Sequence, residues 1–213
     1  MGKFSKGILG PFSGKIGTVI GATWRGIDYM RSLPKKSSKA ATQLQLNNQF
    51  KFKMVQQFLK PMKRLIKVGY QSYKGRLTPM NVATAQLLND AITGIAPNFS
   101  IDFTKVLYSR GDLIGPWNPN VATSIADEIT FAWDASPVTP LSKEDDQVSV
   151  LVYAPVLQKY VILENAAERS ELTFDLQMPA EFAGETVHCY ISVVSADGKQ
   201  VSSSVYIGTA LML

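Results

Sequence analysis

From Gly115 to Leu213, apolar residues recur with a period of two, and this pattern restricts the second half of the chain to β-structure. Ile129, Phe131 and Trp133 alternate with polar residues; so do Val148, Val150 and Val152, and then Leu172, Phe174 and Leu176. Tyr160–Leu163 reads as a short apolar strand and Val187–Val194 as a long one. Asp197-Gly198 supplies a tight turn, from which Val201, Ser203, Val205 and Ile207 return. With Val121–Ile125 as the opening strand, seven strands fall within about 95 residues, the number and spacing of an antiparallel sandwich. No parallel βαβ signal separates them.

The first half is different. Residues 41–114 read as a helical segment with a connecting strand. A helix is predicted from Thr42 to Tyr73, because Phe50, Met54, Phe58, Met62, Leu65 and Ile66 follow one another at intervals that keep them on one face, widened by Val55 and Leu59. Pro61 has no N–H to donate and predicts a kink or split near Lys60. Thr78 as N-cap, Pro79 at the first helical position and Gly94 beyond the end frame a second helix, with Val82, Leu87, Leu88 and Ile92 as its apolar residues. Phe99, Ile101 and Phe103 then alternate as a strand that Val106-Leu107-Tyr108 continues. Residues 1–40 form a glycine-rich basic arm or β-ribbon. In it Lys15–Trp24 reads as a strand, Arg25-Gly26-Ile27-Asp28 as a turn and Tyr29–Leu33 as the returning strand, with a basic linker from Pro34 to Ala41. Gly17 and Gly21 weaken such a ribbon on its own, so it requires something to dock on.

Charge separates the same halves. Residues 1–89 hold sixteen Lys and Arg and one acid, Asp28; residues 90–213 hold six Lys and Arg and sixteen Asp and Glu. The net +5 of the chain therefore combines a strongly basic half with an acidic one. A surface of this kind attracts polyanions or acidic protein faces. Three partners satisfy it: the chain's own acidic domain, the acidic domain of another copy, or nucleic acid.

Chemistry finds little purchase. His188 is the sole histidine and Cys189 the sole cysteine. Neighbours on a strand point to opposite faces, so they cannot form a nucleophile pair within one chain, and the ligands of a zinc site are missing. No intrachain disulfide can form. Gly10–Ile16 falls one residue short of a phosphate loop and has Ile where a magnesium-binding hydroxyl belongs. Glu144-Asp145-Asp146 reads as a solvated loop, and Arg110-Gly111-Asp112 as the turn joining the halves. The expectation is a non-enzyme with no catalytic residues, metal or cofactor. No apolar run reaches the roughly 20 residues of a membrane span. The N-terminus lacks a continuous apolar segment for Sec export, so synthesis in the cytoplasm is expected, with release as a particle left open.

Trp133 on an early strand and the late pair Tyr190–Val194 and Ser202–Val205 resemble fibronectin type III or immunoglobulin-like domains. The resemblance implies an antiparallel sandwich of that type over residues 115–213, and with the basic ribbon and helical segment before it the chain is expected to be α+β. The whole chain also resembles a Bacteroidota family of unknown function. That resemblance rests on Gly14-Lys15-Ile16-Gly17, Trp24-Arg25-Gly26, Arg31-Ser32-Leu33-Pro34, Phe50-Lys51-Phe52, Pro97–Asp102, Arg110–Leu113 and Val194–Gly198. It implies one integrated architecture and carries no activity with it.

The basic segment interleaved with aromatics is the expected contact region. Its candidate interface or polyanion-binding residues are Trp24, Arg25, Tyr29, Arg31, Lys35, Lys36, Phe50, Met54, Phe58, Lys63, Arg64 and Lys67. The leading expectation is a structural protein that self-associates into a homo-oligomer, filament or virion-like particle. The alternative is a nucleic-acid-binding protein using residues 15–76.

Overall fold

The structure, a computed structural model, describes residues 3–4, 10–24, 26–35, 40–73 and 77–213. It divides into two units, Met1–Gln43 and Leu44–Leu213.

The first unit is an antiparallel ribbon in chain order: β1 (Lys3–Phe4), β2 (Phe12–Ile16), β3 (Val19–Trp24) and β4 (Ile27–Ser32). The single strand expected over Lys15–Trp24 is in fact a hairpin. Gly17 sits at φ +56°, which lets the chain reverse at Gly17-Thr18. Leu33 N–H then donates to the Thr18 carbonyl at 2.7 Å. The next turn is shorter than expected, because Trp24 pairs with Ile27 and Asp28 already belongs to β4. Gly21 is the one buried residue among those described in this unit; the Phe12 ring and carbonyl lie where its Cβ would be.

The second unit begins with α1 (Gln43–Leu59), α2 (Lys63–Gly69) and α3 (Pro79–Asp90). Pro61 splits the first two at Lys60–Met62, and Met62 N–H bonds back only three residues, to Leu59 at 3.1 Å. Thr78 caps α3, its Oγ1 accepting from Asn81 N–H at 3.2 Å. Ile92 is not helical. It opens β5 (Ile92–Ile95), which pairs with β6 (Asn98–Ile101). Gly94, at φ +93°, lies inside that hairpin, where a Cβ would collide with the Asn98 carbonyl. Phe103–Lys105 forms a 3-10 turn instead of extending the strand, and Val106 and Tyr108 follow it as buried irregular chain. Arg110-Gly111-Asp112 is no projecting turn. Gly111 packs against the Val201 carbonyl, and Asp112 bridges to Ser202.

Seven strands make the sandwich. β7 (Trp117–Ala122), β8 (Glu128–Asp134) and β11 (Thr173–Gln177) form one sheet in the order β11-β8-β7. β9 (Gln147–Ala154), β10 (Lys159–Glu168), β12 (Thr186–Val194) and β13 (Val205–Leu211) form the other, in the order β10-β9-β12-β13. The opening strand starts earlier than Val121: a bulge at Asn118, φ +42°, absorbs the register shift between Trp117 and Asn120. Ile125 falls in the following loop, 60% exposed. Leu172, φ +62°, belongs to the turn before β11, and Val201 and Ser202 make only isolated bridges before β13.

Two cores share the four-stranded sheet. On its inner face Val148, Val150, Val152, Cys189, Ile191 and Val193 meet Ile129, Phe131, Trp133 and Leu176 of the facing sheet. On its outer face Leu151, Tyr153 and Tyr190 pack under Val55, Phe58, Leu59, Met62, Ile66 and Leu87 of the helices. β9 and β12 are therefore buried on both sides, which is why their sequences are apolar or small at nearly every position. The layers run helices, four-stranded sheet, three-stranded sheet. Neither core includes a residue from the outer side of the three-stranded sheet.

Candidate interaction surfaces

Cross-strand pairing sorts the ribbon's side chains onto two faces. Lys15 pairs with Ile20 and Ile20 with Arg31, so these three share a row on one face. Ala22 with Tyr29, and Trp24 with Ile27, continue the same face at two-residue steps. The opposite face carries Met30 beside Gly21, and Asp28, whose carboxylate accepts from the Thr23 hydroxyl. The ribbon's single acid thus lies on the face opposite Lys15 and Arg31. One face is basic, aromatic and aliphatic, and it holds Trp24, Tyr29 and Arg31 of the predicted contact residues. Lys35 follows, exposed, just past β4. Arg25 and Lys36 lie outside the described residues.

β4 is an edge strand, and all six of its residues are exposed. Ile27 is 51% exposed, Tyr29 43% and Met30 70%. Apolar side chains thus face outward on both sides of an edge that no other described strand pairs with, an arrangement that natural sheets usually avoid.

On the helices the predicted residues separate. Phe58 is not a surface residue. It is 5% exposed, with Tyr153, Tyr160 and Phe103 around it at ring distances of 5.2, 5.7 and 6.0 Å. It sits one turn closer to Pro61 than Met54, which is half-buried, and two turns closer than Phe50, which is exposed and touches Phe99 at 6.2 Å. Lys63, Arg64 and Lys67 do come together. They line an open groove of about 640 Å³ with Pro61 and the capped start of α3, Thr78 to Met80. Arg64 Nε also reaches Glu164 at 3.1 Å.

Other polar groups serve the fold. Asp146, expected in a solvated loop, is fully buried: it pairs with Arg169 at 3.2 Å and accepts from Lys143 N–H at 2.9 Å. Arg169 in turn donates to the Ile114 carbonyl at 2.6 Å, and its own carbonyl accepts from Trp133 Nε1 at 2.9 Å. This knot ties the segment entering the sandwich to its central tryptophan. His188 and Cys189 face opposite sides of β12. Cys189 lies in the inner core, where burial pushes its thiol up to about 12. His188 faces outward against the Phe103 ring at 4.4 Å, with Nδ1 3.0 Å from the Tyr206 hydroxyl, and burial holds its pKa below the ordinary value. Among the described residues no group of three or more His, Cys, Asp or Glu side chains is placed to hold a metal ion, and no helix is long and apolar enough to cross a membrane.

The bare outer side of the three-stranded sheet was not singled out from the sequence. Glu128, Thr130, Ala132 and Asp134 of β8 point there, the residues between them being core. Asp175 of β11 pairs with Thr130 and so shares that face. The clue was present: strands β7, β8 and β11 contain no Lys or Arg.

Three antiparallel strands facing four, in the orders given above, define a fibronectin type III-like sandwich, here with a helical layer on the larger sheet. The chain belongs to DUF6266, a family of unknown function, whose match covers residues 11–208. Solved structures similar to it include the chicken CNTN1 FN1–FN3 domains, at 12% identity and a TM-score of 0.29, covering 46% of this chain and 33% of that one. The fn3 domain of the human collagen alpha-1(XX) chain is similar at 19% identity and a TM-score of 0.31, covering 46% of this chain and 85% of that one. The chain thus spans a third of the first structure's length. No curated protein matches the sequence.

Proposed function

We propose that this chain is a non-catalytic structural protein that self-associates through its basic N-terminal half, as a subunit of an oligomer, filament or virion-like particle. The observation that carries this reading is the ribbon: among its described residues, four strands, one buried residue, and an edge strand exposed along its whole length. A ribbon without a core is marginal in water, and its exposed Ile27, Tyr29 and Met30 gain most by burial against a partner. Synthesis in the cytoplasm and a Bacteroidota setting, cellular or viral, belong to the same proposal. The test is light scattering on the nuclease-treated full chain at low and high salt. A large uniform mass is expected, shrinking as salt screens the charge; a monomer at both salts overturns the reading.

A second reading has its own support. The groove of Lys63, Arg64 and Lys67 beside the N-terminus of α3 concentrates positive charge where a polyanion is accommodated. Nucleic acid as partner predicts affinity that falls steeply and log-linearly with salt. Affinity unchanged between low and high salt would remove it.

A further inference from the structure

We propose that the outer face of the three-stranded sheet is the seat on which the basic face of a second copy's ribbon docks. The inference rests on the self-association reading and names its contact partner.

The argument begins with what covers each sheet. The inner faces cover one another, and the helices cover the outer face of the larger sheet. The outer face of β11-β8-β7 is left, and its charge has one sign. Glu128, Asp134 and Asp175 project from it, and the strands contribute no cation. Among the described residues each carboxylate has a neutral partner. Thr130 Oγ1 donates to Asp175 at 2.7 Å, Asn118 Nδ2 donates to Asp134 at 2.7 Å, and the Gln177 amide donates to Glu128. These bonds orient the carboxylates and leave their charge uncompensated. Elsewhere among the described residues of the unit Glu164, Asp102, Glu181, Asp146 and Asp197 are ion-paired and other acids such as Asp112 and Glu185 are not, so what marks this face is three carboxylates on strands that carry no cation.

The ribbon supplies the complement. Lys15 and Arg31 stand in one cross-strand row with Ile20 between them, and Tyr29 and Ile27 extend the same face without an acid. Dimensions agree: the six steps from Glu128 to Asp134 span about 20 Å, and the five from Ile27 to Ser32 about 17 Å, at the rise of an antiparallel strand. Between the acidic residues the sheet presents Thr130, Ala132 and Ala122, small side chains on which a tyrosine ring can lie flat. Every copy carries both surfaces. Because they are different surfaces, the contact is heterologous, propagating head to tail into a ring or an open filament. A partner of unrelated origin is not required to explain either surface.

The experiment uses three full-length proteins, nuclease-treated and followed by sedimentation velocity across concentration. One carries Glu128→Lys, Asp134→Lys and Asp175→Lys; another carries Lys15→Glu and Arg31→Glu; the third is the natural chain. All five positions are surface-facing, and a denaturation curve confirms that each variant folds; Glu128→Gln, Asp134→Asn and Asp175→Asn replace the first variant if it does not. Each inversion is expected to raise the concentration needed for assembly at least about tenfold, and mixing the two inverted proteins is expected to restore it, because like charges facing each other are what each lacks a cure for alone. If the sheet variant assembles like the natural chain while the ribbon variant does not, the docking face is wrong and ribbon-led association stands. If the natural chain is monomeric throughout, or assembles only before nuclease treatment, both readings fall, the second case in favour of nucleic acid.

Discussion

The ribbon and the sandwich are both antiparallel β-structure, yet the chain builds them on opposite terms. In the sandwich, β9 and β12 have apolar residues on both faces, and both faces are covered. In the ribbon, β4 also has apolar residues on both faces, Ile27 and Tyr29 on one and Met30 on the other, and neither is covered. The same local pattern produces a core in one place and an exposed face in the other. The difference lies in the surroundings: two layers stand against β9, and β4 is the last strand in the order β1-β2-β3-β4. An apolar strand says that burial is favourable. Whether the partner is the same chain is a question of topology.

The comparison breaks most sharply under truncation. Trp133 fills the sandwich core and anchors its indole N–H on the Arg169 carbonyl. Trp133→Ala is expected to cost about 3–5 kcal/mol in urea denaturation, the usual toll for removing a buried aromatic. Tyr29→Ala is expected to leave that transition within about 0.5 kcal/mol and to act on association instead. A loss of more than about 2 kcal/mol for Tyr29→Ala would show that the ribbon belongs to the cooperative unit of the body.

Glycines sharpen the contrast with a smaller effect. At Gly111 an added Cβ would run into the Val201 carbonyl, and backbone cannot step aside as a flexible side chain can. Gly111→Ala is expected to destabilise the body by about 2 kcal/mol, as overpacking does. Gly26 has open space around it, and its demand is conformational, φ +80°. Gly26→Ala is expected to cost about 1 kcal/mol, confined to the β3–β4 turn and absent from the main unfolding transition. Equal shifts of that transition by the two variants would contradict the division into separate units.

What the sequence made legible follows from how local each signal is. Seven strands, the Asp197-Gly198 turn, the Pro61 break and the Thr78 cap were all readable, because period, turn residue and cap each act over a few positions. Signals requiring knowledge of a neighbour were misread. Val148, Val150 and Val152 alternate, but Leu151 and Tyr153 between them are apolar too, and that continuous run was the sign of a second core on the far side of the sheet. Asp146 looked like part of a solvated acidic loop because its partner, Arg169, is distant in sequence. Phe58 looked equivalent to Phe50 on a helical wheel, yet the aromatic cluster that buries it comes from β9, β10 and the 3-10 turn. Among the candidate contact residues, Trp24, Tyr29 and Arg31 share one face. Lys15 joined them only through the hairpin at Gly17, a turn the glycine itself advertised.

The gentlest way to separate the two regions is acid. The body holds the chain's sole histidine and the ribbon has none, so a histidine-linked effect reports on the body alone. His188 is half-buried between the Phe103 ring and the Tyr206 hydroxyl, with burial holding its pKa below the ordinary value near 6.5. In the folded state the neutral ring is therefore favoured, and the unfolded chain binds the proton more readily. The stabilisation is fully present above pH 6.5 and is lost as the pH falls below that value through the folded pKa. Denaturation midpoints measured between pH 7.5 and 5.5 are expected to decline modestly for the natural chain and less for His188→Gln, which has no proton to take up there. If the two slopes coincide, His188 carries no linkage and any acid sensitivity belongs to the carboxylates. If the slope for the natural chain runs the other way, the imidazolium is stabilised in the fold, and the packing against Phe103 acts as a cation–ring contact rather than as a desolvating wall.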